Sequence, residues 1–167
     1  VLLVPLAAMQ FSDEVVWTLS DFVFAGALIF GTGLLFLLAI KMTANNLYRA
    51  AAGLALATTF LLIWINGAVG IIGDSDINML YVGVPLAGIL GSLATSFRPQ
   101  GMARTLFAMA LIQALIPVVA LIINQPDFSP GVMGVLVLNS VFVALFIGSG
   151  VLFQRAGRQQ NGTERLG

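Results

Sequence analysis

No cysteine and no histidine occur in this 167-residue chain, and only 8% of its residues carry charge. Without Cys there is no disulfide, thiolate metal site, iron–sulfur cluster or cysteine nucleophile. Without His the commonest general base and the usual haem ligand are gone as well. The scarcity of charge is equally restrictive. Soluble domains carry ~25% charged residues, whereas this chain is 59% hydrophobic with a mean hydropathy of +1.04. The formal net charge is zero, so no basic stripe exists to collect nucleic-acid phosphates.

The few charges are sorted by sign. Asp13, Glu14 and Asp21 come first, then Lys41 and Arg49, then Asp74 and Asp76. Arg98 and Arg104 follow, then Asp127, then Arg155, Arg158 and Arg165; only Glu164 breaks the alternation. Between these groups run uncharged apolar stretches of about 20 residues, enough to cross a hydrocarbon core of ~30 Å. Short loops rich in Lys and Arg stay on the cytoplasmic side of a membrane. The pattern predicts an all-α integral membrane protein with five complete transmembrane helices. They fall at about residues 22–40, 50–73, 77–97, 105–124 and 131–153 of a single bundle domain, 1–153. A cytoplasmic tail, 154–167, follows. Residues 1–9 are apolar with no signal-peptide cleavage site behind them, and are read as part of a truncated N-terminal sixth helix.

Local signals support these boundaries. Ser20-Asp21 can cap the first complete helix, and Pro99 with Gly101, like Pro126 and Pro130, should stop the chain between helices. Small residues at four-residue spacing suit close helix contacts, because missing side chains let backbones approach in lipid. Gly26, Gly31, Gly83, Ala87, Gly88, Gly91 and Gly148 are the expected packing positions. A faint parallel repeat runs through them: Asp21, Gly26 and Gly31 recur as Asn78, Gly83 and Gly88.

Four deep polar or amphipathic side chains stand out: Trp64, Asn66, Gln113 and Asn139. An amide in hydrocarbon must find partners, since leaving it bare costs a few kcal/mol. They can line a pocket for a small neutral or lipophilic ligand such as a quinone, a pigment or a lipid headgroup. They can equally be interhelical hydrogen bonds worth ~0.6 kcal/mol a pair. Asn66 and Gln113, at similar depth, are expected to share one polar neighbourhood, and Pro117 can free a carbonyl beside it. On the acidic side, Asp74, Asp76 and Asn78 alternate as the opening of a calcium loop does, but the loop glycine and closing glutamate are missing. No metal and no cofactor are expected.

The run Trp64-Ile65-Asn66-Gly67-Ala68-Val69-Gly70-Ile71-Ile72-Gly73-Asp74, followed by Asn78 and Tyr81, resembles a family of small, uncharacterised bacterial inner-membrane proteins. Further matching residues are Ala8-Met9-Gln10-Phe11, Trp17, Ser20-Asp21-Phe22 and Arg98-Pro99. The likeness covers residues 8 to about 122. It implies a bacterial plasma membrane and a preceding helix, and implies no activity. No Ser-based or paired-carboxylate catalytic constellation can be assembled. The expectation is a non-enzyme: a multi-pass subunit or accessory protein that packs against lipid and against a membrane-protein partner or a second copy of itself. A carrier of a small neutral ligand is the alternative.

Overall fold

The computed structural model describes residues 3–11, 17–68, 70–72, 76–123 and 131–164. These residues are helical, with no strand among them. The helices are α1 (Leu3–Phe11), α2 (Leu19–Met42), α3 (Asn46–Ala68), α4 (Gly83–Ala94), α5 (Pro99–Ile123) and α6 (Val132–Glu164). A 3-10 segment, Asp76–Val82, runs directly into α4. Five of the resulting spans are long and apolar enough to cross a membrane, with Asp76–Ala94 counted as one.

Three of the helices, α2, α3 and α5, start where a side chain or a proline serves the first turn. Thr18 caps α2 in a reciprocal box: the Asp21 amide donates to Thr18 Oγ1 (3.4 Å) and the Thr18 amide to Asp21 Oδ2 (2.7 Å). The cap is therefore Thr18 rather than Ser20, with Asp21 three positions in, as such boxes require. Asn45 Oδ1 accepts from the amides of Leu47 (2.9 Å) and Tyr48 (3.2 Å) to start α3. Pro99 opens α5 instead of ending a helix, because its missing N–H is one that a first turn leaves unpaired anyway.

Several boundaries depart from the hydropathy reading, α5 starting at Pro99 rather than at 105 among them, and two bear on the interior. The second span ends at Ala68 rather than at 73. Gly70 takes φ 68°, and the amides of Ile71 and Ile72 donate to Asn78 Oδ1 at 3.1 and 2.9 Å. Both isoleucines are buried in a turn, not a helix. The last helix does not stop at Phe153: it continues to Glu164, with Phe153 and Ala156 fully buried. At 33 residues it is about 50 Å long, well beyond a hydrocarbon core. Pro126, Pro130 and Asp127 lie outside the described residues, as do Asp13 and Glu14.

Packing follows the order α2, α3, α6, α5, α4, each helix touching the next. α6 is the central element, between α3 and α5, and Ser149 on it donates to the Ala51 carbonyl of α3 at 2.8 Å. α2 leans on α3, and Ala25 is its one buried residue. The expected small-residue contacts divide. A Cβ at Gly91 would stand 2.5 Å from the Thr105 side chain, and one at Gly88 would stand 3.0 Å from Met109. One at Gly148 would reach Leu54 at 3.8 Å, and Ala87 packs against the core. At Gly31 and Gly83 a Cβ would meet nothing within 4 Å, so neither makes a tight helix contact with a described residue. Gly26 is half-buried beside Ala25. The repeat is not matched in role, since Gly31 faces open space where Gly88 faces Met109.

Candidate functional site in the polar core

The 3-10 segment, α5 and α6 bring three polar side chains together in the apolar interior. Gln113 of α5 donates through Nε2 to Asn139 Oδ1 of α6 at 2.9 Å. The Tyr81 hydroxyl donates to the same oxygen at 3.0 Å. Asn139 Nδ2 turns back to the Val135 carbonyl, one turn earlier, at 2.9 Å. Three of the four hydrogen-bonding sites of the Asn139 side chain are thus engaged by neighbours on three elements. Gln113 and Asn139 are essentially inaccessible, as is the Tyr81 ring.

The site is left short of donors. Gln113 Oε1 is buried with no hydrogen-bond partner. Pro117, inside α5 and one turn on, has no N–H to give the Gln113 carbonyl. Gln113 therefore carries one buried side-chain acceptor without a partner and a carbonyl that loses its usual i+4 donor, and the bare acceptor is costly in a low dielectric. Chemically, this patch accepts hydrogen bonds from a neutral donor; it holds no ionisable carboxylate, amine or imidazole that could move a proton near neutral pH.

The other two expected members lie elsewhere. Asn66 Nδ2 donates to the Asn78 carbonyl at 3.1 Å, and its Oδ1 is buried without a partner. No hydrogen bond joins it to Gln113, so the two amides do not pair directly: Asn66 bonds to the Asn78 carbonyl and Gln113 to Asn139. Trp64 stacks on Phe60 (5.7 Å, 20°) and tilts against Trp17 (6.1 Å, 49°), which meets Phe22 edge-on. It belongs to an aromatic cluster where α2 begins and α3 ends. Asn78 Oδ1 is engaged by two backbone amides, Asp76 is exposed, and Asp74 lies outside the described residues. No group of metal-ligating side chains occurs among the described residues.

Sequence reasoning passed over Tyr81 as a member of the polar core. The signal was present, since a tyrosine a few residues into an apolar span has a hydroxyl that must find a partner. Tyr48 carries the same signal at the opposite end. It is buried, its hydroxyl donates to the Phe97 carbonyl at 2.9 Å, and its ring meets Phe153 edge-on at 4.9 Å.

The elements define a helical, multi-span architecture consistent with a multi-pass membrane protein. No protein-family model, curated protein or solved structure matches this chain.

Proposed function

We propose that this chain is a non-catalytic integral subunit of a bacterial inner membrane, its C-terminus cytoplasmic, which uses α2 to pack against a second membrane protein or a second copy. The supporting observation is the open backbone of α2. Gly31 and Gly33 sit in mid-helix with nothing described within 4 Å of where a Cβ would be. Each glycine costs a helix about 1 kcal/mol relative to alanine. Between lipid-embedded helices, small residues offset that cost by letting another backbone approach. The bacterial placement rests on the resemblance carried by residues 64–74, and the orientation on the sorted charges.

Extraction in mild detergent followed by native mass spectrometry tests this reading. A stoichiometric partner or a dimer is expected, and Gly31→Leu should release it while leaving the melting of the chain itself unchanged. A monomer under all mild conditions sinks the proposal.

The unpartnered Oε1 of Gln113 favours one second reading, a carrier of a small neutral ligand bearing an N–H or O–H. A molecule retained through purification and lost in Gln113→Leu would support it; a Gln113→Leu protein that retains the same molecule would not.

A further inference from the structure

A cleft of about 740 Å³ opens at the end of the bundle where α4 stops, α5 begins and α6 passes. Arg98 and Arg104 line it together with Thr95, Ser96, Gln100 and Asn161, and no Asp or Glu is among the described residues that line it. We propose that this cleft binds a phosphate-bearing anion, the headgroup of an anionic membrane lipid or free phosphate.

The walls are held in place rather than merely adjacent. Gly157 brings α6 against the start of α5, where a Cβ would stand 3.2 Å from Gln100 Cγ and 3.7 Å from the Gln100 amide nitrogen. Gly101 does the same for Thr95, whose side chain occupies the place of a Cβ. Between them, Ser96 and Phe97 adopt φ 49° and 57°, a left-handed turn anchored from α3 by the Tyr48 hydroxyl on the Phe97 carbonyl.

The charge of this cleft has one sign. Arg98 and Arg104 supply two guanidiniums, and a guanidinium fork matches phosphate oxygens in a bidentate way. The free end of α5 adds to them. Pro99 has no N–H, and the first amide of α5 to reach a carbonyl is that of Met102, on Arg98 at 2.8 Å. The amides of Gln100 and Gly101 are therefore donors at the positive end of a 25-residue helix.

The cleft has room for more than a phosphate group and lies within the ~300–1,000 Å³ range of small-molecule sites. Exposed Leu86, Leu90 and Leu93 run along α4 toward it, an apolar track of the kind an acyl chain follows. Basic pockets between membrane helices hold lipid headgroups by this combination.

The test is thermal unfolding of the full chain in a neutral detergent. Phosphatidylglycerol, phosphatidylcholine or inorganic phosphate is titrated in separately. Phosphatidylglycerol should raise the midpoint saturably and phosphatidylcholine should not. Arg98→Gln with Arg104→Gln should weaken the apparent affinity at least about tenfold, while Arg155→Gln, exposed and outside the cleft, keeps it. If inorganic phosphate reproduces the shift, the anion is the free one. Should the double variant fail to fold, Ser96→Asp, which suits a left-handed backbone, puts a negative charge in the cleft and should abolish the shift. No shift with either anion, or an undiminished shift in the cleft variants, overturns the site.

Discussion

Asn139 illustrates how a single buried amide organises its surroundings. Its Oδ1 receives Gln113 and Tyr81 while its Nδ2 is spent on Val135, so removing it leaves two donors bare in an apolar interior. Amide pairs between membrane helices are worth only ~0.6 kcal/mol on average, but neighbours couple and distant sites do not. Gln113→Leu and Asn139→Leu should therefore be non-additive by at least ~0.5 kcal/mol in a double-mutant cycle. Gln113→Leu and Asn66→Leu should add, because Asn66 is bonded to the Asn78 carbonyl instead. Detergent unfolding of the single and double variants decides it, and additivity in the first pair would dissolve the network. Tyr48 gives a second residue-level expectation. Tyr48→Phe keeps the ring on Phe153 and deletes only the hydroxyl bond to Phe97, so about 1 kcal/mol should be lost in the same assay.

At the scale of the helix, the glycines of α4 separate two kinds of contact. A Cβ at Gly88 would press on the Met109 methyl and sulfur, the far end of a flexible side chain. At Gly91 it would press on Thr105 at 2.5 Å, reaching as far as its Cβ at 3.0 Å, and Thr105 is itself tied to the Gly101 carbonyl at 3.2 Å. Methionine can move aside and a β-branched residue cannot. Gly91→Ala should cost about 1–3 kcal/mol, and Gly88→Ala less than about 1 kcal/mol, since Met109 yields. Gly83→Ala, with open space beside it, should be neutral or stabilising by up to about 1 kcal/mol through helix propensity. A melting series that ranks these substitutions differently would contradict the packing of α4 on α5. The five spans were legible in the sequence because length and hydropathy are sums over many residues and survive local exceptions. What escaped were exceptions made by single side chains. Asn78 ends α3 from eight residues downstream of Gly70, and no local pattern records that a carboxamide will stand in for a helix carbonyl. The same holds for the polar core. Gln113 and Asn139 were recognisable as amides needing partners, but their pairing depends on the placement of α6 beside α5, and Asn66 is diverted by the turn that follows its own helix.

For the molecule as a whole, the helix packing gathers the charges that the sequence had sorted. Gly157 lies against Pro99 and Gln100, and Tyr48 against Phe97 and Phe153. The start of α3, the end of α4, the start of α5 and the late part of α6 therefore share one end. Arg49, Arg98, Arg104, Arg155 and Arg158 lie in those segments. Arg49 reaches across to the end of α2, donating to the carbonyls of Thr43 and Ile40 at 2.9 Å each, and Lys41 closes that helix. Trp17 against Trp64 places the start of α2 beside the end of α3, away from these groups. Carrying one Arg or Lys to the middle of a membrane helix costs ~2.5–3.5 kcal/mol on insertion scales. The proposed orientation rests on this collection of positive groups at one end, because short Lys- and Arg-rich segments stay on the cytoplasmic side. Because the sequence contains no Cys, single cysteines report on this directly. Ala44→Cys and Gln100→Cys should react with an impermeant maleimide only after spheroplasts are opened. Ser75→Cys and Ser129→Cys, outside the described residues but close in sequence to Asp74, Asp76 and Asp127, should react in intact spheroplasts. Labelling of position 44 or 100 in intact cells would reverse the orientation. It would also move the arginine cleft to the outer leaflet, where the phosphate it meets would have to come from a different pool of lipid.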